Sequence, residues 1–399
     1  MHTFKNFKNF EYAEIDLSKP MTLLIGRNGA GKSNVIEGVE LLAELIKGRE
    51  VHEISDVERG GDFEIRGSLQ GCFRQGYENF EISLKDKDIH FRDESFYCFC
   101  QISLKPVINK KVTDNIERMA EKHYDYDNDS QGYAMNNGGS EYMDYSPLFF
   151  GDYYQEYRNE VLNKWGKVYV YDIYPRIMRQ YSPIGLNQLS RNGANISSVL
   201  YYLKQYKPDV LDYILKNIRQ LPEEAFESFE FIETSDDSEI LFALKYPNTE
   251  KPISAKLLSD GTLRALAILT ALETVPEGSR IIIEEIDNGI HPSKANMLIN
   301  AIWERSKERK LNTLITTHNP ATLDSLNNEQ LECVVVCHYD KQSQSAKLTP
   351  FFELPRIDVL LQKGKLGGLV TRNVIERYLD PEFENEQRKI ALEWLESCK

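Results

Sequence analysis

The chain has no run of about 18 apolar residues, so it offers no candidate transmembrane helix. Its first residues, Met1 to Leu17, lack the apolar core of a secretory signal, and the cytoplasm is the expected compartment. No heptad pattern is sustained, which excludes a long coiled-coil arm, and no segment repeats another. Cysteine is scarce, with 6 in 399 residues. Cys98 and Cys100, and Cys333 and Cys337, lack the spacing of a zinc site, so buried thiols in a reducing compartment are expected. Positive charge is in deficit: 48 Lys and Arg face 62 Asp and Glu, a net charge of −14. That balance excludes broad, charge-driven coating of nucleic acid, which needs basic surface against phosphates. It leaves room for a local basic groove, or for a basic partner that holds nucleic acid.

What is present reads as a soluble globular protein, 41% hydrophobic and 28% charged, with enough chain for one large domain or two ordinary ones. Residues 1–46 read as two strands, a glycine-rich loop and a helix. Val35, Ile36, Val39, Leu42, Leu45 and Ile46 recur at helical spacing. Residues 62–104 alternate polar and apolar and predict antiparallel strands. From 105 to 225 the character changes to a partly helical insertion, with an acidic-aromatic loop around 124–146 and a helix over 195–219. Strands return over 226–257. From 258 to 337 helices alternate with apolar strands, the sign of a βα core. A final hairpin is expected over 333–353 and an acidic helical tail over 368–399.

Four segments carry chemistry. Gly26-Arg27-Asn28-Gly29-Ala30-Gly31-Lys32-Ser33 has the spacing of a phosphate loop and lies between an apolar strand and a helix. Glycines let the backbone N–H groups of Asn28 to Asn34 wrap phosphates, and the helix end adds its dipole. Lys32 is expected at the β- and γ-phosphates of a nucleotide, and Ser33 at Mg²⁺. Arg280 to Glu285 is a buried-type strand ending in two acids. Glu284 is the candidate to hold Mg²⁺ through its water shell, and Glu285 to orient or deprotonate the attacking water. Read alone, the pair could equally be two solvated glutamates at a strand end.

Ser259-Asp260-Gly261 opens a helix with a hydroxyl and outward-pointing N–H groups. From this segment alone an ordinary N-cap is the fuller account. His318 closes the apolar strand Leu314-Ile315-Thr316-Thr317 and is placed to donate a hydrogen bond to a γ-phosphate or to water, although a lone histidine is more often structural.

With these residues the chain resembles the ABC-type ATPase heads of the SMC/RecF class. More narrowly it resembles AAA-type ATP-binding proteins grouped with the OLD-family and bacterial anti-phage defence ATPases, the PtuA-like ones among them. The resemblance rests on Asn9-Phe10, Leu24 to Asn34, Leu258-Ser259-Asp260-Gly261, Glu284-Glu285, Asn288 to Pro292 and Thr317-His318-Asn319-Pro320. Between 105 and 225 it is loose, at Gly193 to Leu200. It implies an α/β fold: a P-loop core with an antiparallel β-subdomain and a partly helical insertion. The expected division is 1–104 and 226–353 as the two parts of the head, 105–225 as the insertion and 354–399 as a helical tail.

The resemblance also implies a homodimer or higher homo-oligomer that sandwiches ATP, with Ser259, Asp260 and Gly261 of one copy facing the phosphate loop of the other. Asp287 and Asn288 would lie in the loop linking the two sites. Two departures stand out: Glu284 replaces the usual aspartate, and Asp260 replaces the glycine of transporters. The family's Mg²⁺-sensing glutamine has only Gln70 and Gln75 as candidates. After Cys337 there is no acidic pattern suited to a Toprim nuclease. The expected function is therefore an ATPase that regulates or scaffolds a separate effector, such as a nuclease, in anti-phage defence, with any nucleic-acid contact indirect. The alternatives are a RecF-like repair ATPase and a nucleotide-locked scaffold with very slow turnover.

Overall fold

The computed structural model describes residues 1–47, 65–67, 69–77, 79–91, 94–106, 116–125, 133–136, 162–220 and 225–380, with 382, 383, 389 and 393. Side chains of 85–161 lie outside what is described. Strands β1 (His2–Phe7) and β2 (Phe10–Ile15) form a hairpin, followed by β3 (Met21–Ile25) and helix α1 (Lys32–Ile46). An antiparallel ladder follows: β4 (Phe80–Phe91), β5 (Glu94–Pro106), β6 (Ile116–Asp125) and β7 (Tyr133–Asn136). Next come β8 (Val168–Tyr171), α2 (Pro175–Met178), β9 (Ser182–Pro183), α3 (Ile196–Tyr206) and α4 (Pro208–Ile218). Strands β10 (Ser228–Glu233), β11 (Glu239–Lys245) and β12 (Ile253–Ser254) make a second sheet, which β9 joins.

The βα core then runs α5 (Asp260–Thr274), β13 (Arg280–Ile283), α6 (Pro292–Glu308), β14 (Asn312–Thr316), α7 (Pro320–Asp324) and α8 (Asn328–Leu331). It closes with the hairpin β15 (Val334–Asp340) and β16 (Ser345–Pro350). Helices α9 (Ile357–Gln362), α10 (Leu366–Thr371) and α11 (Val374–Leu379) close the last continuous stretch of described residues.

The main sheet orders its strands β7-β6-β5-β4-β1-β2-β16-β15-β3-β14-β13-β8. From β15 to β8 all pairs are parallel; the β1–β4 side is antiparallel. Every residue of β3 and β13 is buried, as a parallel sheet covered on both faces requires. The alternation along these strands sorts side chains onto two cores. Leu24, Ile282, Leu314 and Val170 pack toward α1 with Phe4, Phe7 and Phe10. Leu23, Ile25, Ile281, Ile283, Ile315 and Tyr171 pack on the opposite face with α5 and α6.

Residues 105–225, expected as one insertion, divide differently. Strands β6 and β7 extend the ladder begun by β4 and β5. Strand β8 belongs to the parallel core, paired with β13 from Arg280↔Val168 to Ile283↔Tyr171. Its four residues, Val-Tyr-Val-Tyr, are too short a run to stand out beside the tyrosine-rich stretch before them. The acidic-aromatic loop expected at 124–146 falls largely outside the described residues. The helix expected over 195–219 is two, α3 and α4, broken at Lys207-Pro208 because proline opens a helix but cannot continue one.

The C-terminal helices sit directly on the core. A Cβ at Gly367 would come within 1.9 Å of the Pro320 carbonyl oxygen, while Asp324 Oδ1 accepts from Gly367 N at 2.7 Å and Gly368 N at 3.3 Å. Gly367→Ala therefore sets a backbone clash against a helix-propensity gain of about 1 kcal/mol, and the clash wins. The expected result is a net loss of about 1–2 kcal/mol in urea unfolding, with faster amide exchange over residues 366–379.

Candidate nucleotide site

The site is built on strand ends. Pairing sets Leu23, Ile315, Ile283 and Tyr171 in one row across β3, β14, β13 and β8. One to three residues beyond that row the strands release the phosphate loop, His318, Glu284-Glu285 and Asp172. Carboxyl ends of parallel strands are where α/β sheets open a crevice for ligands.

The loop between β3 and α1 is held from outside. Gly26 has φ 147° and Gly31 φ 122°, backbone that side-chain-bearing residues rarely adopt. A Cβ at Gly26 would meet the Cys337 carbonyl oxygen at 2.1 Å, and one at Gly31 would meet the Asn9 amide at 2.9 Å. Asn9 is the clamp: its Nδ2 donates to the Ala30 carbonyl at 3.2 Å, and its Oδ1 accepts from Asn34 Nδ2 at 2.7 Å. Cys337 adds Sγ to the same Ala30 carbonyl at 3.3 Å. Asn28 and Gly29 are exposed, Ala30 and Gly31 buried, and Lys32, Ser33 and Asn34 in between. Lys32 Nζ donates to the Gly26 and Arg27 carbonyls at 2.6 and 3.0 Å. Burial lowers its pKa, and the Glu285 carboxylate is one of the charges opposing that shift.

Strand parity places the two glutamates differently. Ile282 faces α1, so Glu284 faces α1 too, where Glu37 and Glu40 contribute to its electrostatic surroundings. Burial raises the Glu284 pKa, and the carboxylate of Asp172 adds to the rise. Arg191 counters from the side: its backbone carbonyl accepts from Asp172 N at 3.0 Å and its guanidinium bonds Glu40 at 2.6 Å. Glu40 itself is pushed up to about 7, chiefly by burial.

Glu285 is exposed, with φ 46° in the left-handed region. Its backbone N donates to Thr316 Oγ1 at 2.9 Å, and its carboxylate accepts from Asn288 Nδ2 at 3.2 Å. His318 is exposed directly beyond the buried Thr316 and Thr317.

Asp287 ties these loops together within one chain. It is 6% exposed and accepts from the hydroxyls of Thr317 and, at 2.8 Å, Thr322. The loop after β13 is thereby fixed to the loop after β14, and Glu285 to the neighbourhood of His318.

Ser259 caps α5, accepting from Thr262 N at 3.1 Å, and stays exposed beside the exposed Asp260, which pairs with Arg179. Gly261 is buried against the Gly289 carbonyl, where a Cβ would lie at 3.0 Å. The serine-glycine turn therefore abuts the loop that follows Glu285.

Sequence reasoning passed over two residues. Asp172 stands at the end of β8 beside Glu284; its signal was an apolar-aromatic strand ending in an acid, hidden in the supposed insertion. Arg264, on α5, is 7% exposed, and Asp172, Glu285, Asp260 and Asp287 are the acids that favour its charge against burial. Of the glutamine candidates, Gln75 is exposed in a turn after Phe73, and Gln70 lies in the 3-10 turn Leu69–Cys72, with its side chain outside the described residues. Neither follows a strand of the parallel core.

A glycine-rich loop at the centre of a parallel sheet, flanked by an antiparallel ladder and followed by paired acids and a histidine, is the layout of an ABC-type ATPase head fold. The family described as "AAA ATPase domain" matches residues 3–164, and that described as "AAA domain, putative AbiEii toxin, Type IV TA system" matches 159–324. A solved SMC head bound to the C-winged helix domain of ScpA shares the fold over 87% of this chain and 96% of that one, with TM-score 0.53 and 12% identity. The DNA replication and repair protein RecF of a Picosynechococcus species is 36% identical over 80 residues, 20% of each chain. That of Gloeobacter violaceus is 42% identical over 53 residues, 13% of each. The chain thus spans about a fifth or less of the length of these curated relatives. The two family matches together run over residues 3–324, and the chain is similar to ABC-type ATPases of the SMC/RecF class.

Asp287→Ala leaves two fully buried threonine hydroxyls without their acceptor. Each unmet group costs about 1–3 kcal/mol, so a stability loss of about 3 kcal/mol is expected in chemical denaturation. A loss under about 0.5 kcal/mol would show that the two loops do not depend on this carboxylate.

Proposed function

We propose that this chain binds Mg²⁺–ATP on Gly26 to Asn34, hydrolyses it, and uses the bound nucleotide to join two copies head to tail. The observation that supports this best is the single row of strand ends carrying the loop, His318, the two glutamates and Asp172. The loop's N–H groups and Lys32 hold the β- and γ-phosphates. Ser33 and Glu284 are the residues that would hold Mg²⁺; the raised pKa of Glu284, beside a second carboxylate, fits a site made for a cation. Mg²⁺ supplies neutralisation of charge on the phosphates.

Glu285 orients the attacking water and takes its proton. Its exposed carboxylate is steered by Asn288 and, among the described residues, lies in no salt bridge, which suits a group that must reach a substrate. His318 donates to the γ-phosphate. Ser259, Asp260 and Gly261 serve the partner's nucleotide: Ser259 and Asp260 are exposed at the mouth of α5, a helix N-terminus that favours anions.

The output belongs to another protein, a nuclease-type effector in anti-phage defence. The toxin–antitoxin description of the family matching 159–324 supports that setting. The RecF matches favour a second reading, a DNA repair ATPase, against which the net charge of −14 weighs. ATP-dependent binding of duplex DNA by the purified protein at low salt would favour the repair reading; co-purification with a nuclease encoded beside it would favour defence.

Lys32→Ala is expected to lose ATP binding by at least tenfold in calorimetry; unchanged affinity would remove the loop from the site. Glu285→Gln should lower phosphate release by about a hundredfold or more while still binding ATP. Light scattering should then find it trapped as an ATP-dependent dimer. A variant that turns over like the unaltered protein would instead point to a slow nucleotide-locked scaffold.

A further inference from the structure

Asp260 is an awkward residue for the place it occupies. Its side chain is 65% exposed in the first turn of α5, directly after Ser259. A helix N-terminus attracts anions, but a carboxylate fixed there repels any second anion brought to the same spot. Arg179 meets that charge. Its Nη2 lies 2.5 Å from Asp260 Oδ1, and the same nitrogen donates to the Leu258 carbonyl at 2.8 Å. One guanidinium nitrogen thus holds the residue before Ser259 and the residue after it. Ser259, between them, is bonded to Thr262 instead. Arg179 is itself well anchored: it follows α2, whose last residue, Met178, is fully buried. The neighbouring cations are placed differently. Lys256 Nζ lies 5.1 Å from the centre of the Tyr181 ring. Arg264 is buried one turn down α5 and makes no ion pair among the described residues.

We propose that Arg179 is a positioning residue for the head-to-tail dimer: it neutralises and holds Asp260, so that Ser259 and Gly261 can face the triphosphate on the partner's loop. The inference rests on the head-to-tail reading and adds to it the residue that makes an acidic serine-glycine turn workable. Where transporters carry glycine at this position there is no charge to offset. Here there is, and the offsetting cation comes from a different part of the chain. The geometry favours this over a bond made for stability alone. A partly exposed ion pair contributes little to folding, and both bonds of Nη2 end on the turn. Charge favours it too. A triphosphate brought to the turn meets an acid whose charge is already balanced, whereas like charges set against each other across an interface suppress association.

The test uses the full chain carrying Glu285→Gln, in which Mg²⁺–ATP is expected to trap the dimer. Light scattering reads the protein concentration at which half is dimeric. ATP affinity is read separately, on dilute protein, with a fluorescent ATP analogue. Arg179→Met keeps the length of the side chain and removes its charge. It should raise the dimer midpoint at least about tenfold, the size of an unbalanced charge at an interface, while ATP affinity changes by less than about twofold. Adding Asp260→Gly should bring the midpoint back to within about threefold of the starting protein, because no charge is then left to offset. A thermal melt checks that each variant folds. A midpoint unmoved by Arg179→Met overturns the proposal. So does a raised midpoint that Asp260→Gly fails to restore, since Arg179 would then only prop the backbone. A fall in ATP affinity on dilute protein overturns it as well, by placing Arg179 in the site of its own head. If ATP gives no dimer even before Arg179 is changed, the head-to-tail reading fails and the proposal goes with it.

Discussion

Parallel pairing in one register is the constraint on which everything else in this molecule rests. Because β3, β14, β13 and β8 are hydrogen-bonded level with one another, their chain exits are level too. Four unrelated loops are delivered to one edge without any of them needing to find the others. The cost of such a sheet is that both faces must be covered. The two hydrophobic cores, one under α1 and one under α5 and α6, meet it, and the strict alternation of Leu23, Leu24 and Ile25 feeds both at once.

The loops are then fixed to one another by polar contacts placed where water is excluded. Asn9 grips the phosphate loop from the β1–β2 hairpin, and Asp287 grips the histidine loop from the glutamate loop. Both are buried or half-buried side chains acting on neighbouring backbone and hydroxyl groups, so their strength is that of interior hydrogen bonds. Arg264 adds a cation among Asp172, Glu285, Asp260 and Asp287, which eases the repulsion among those acids. The serine-glycine turn joins this assembly through Gly261, whose missing side chain lets α5 lie against the Gly289 carbonyl.

Much of this could be read from the chain because the relevant signals are local. The phosphate loop announces itself by glycine spacing between a strand and a helix, and the paired glutamates and His318 by apolar strands that stop abruptly at polar residues. The hairpin at the end of the core and the second sheet over 226–257 follow from alternation. What local pattern could not give was strand β8. Val168 to Tyr171 takes its place from β13, more than a hundred residues downstream, and nothing within four residues says so. With β8 went Asp172, and with Asp172 the reason that Glu284 sits in a doubly acidic corner. The role of Asn9 was equally non-local: its partners Ala30 and Asn34 are close only once the β1–β2 hairpin folds back on the loop.

Glu285 occupies left-handed backbone, at φ 46°, where an L side chain is uncomfortable by about 1 kcal/mol and glycine or asparagine is at ease. The fold would therefore gain from losing the carboxylate proposed to act on water. Stability and chemistry pull in opposite directions at this position. Any search for sturdier versions of the protein that does not also ask for turnover should discard Glu285 early, leaving a head that is firmer and, on the role proposed for that carboxylate, inert.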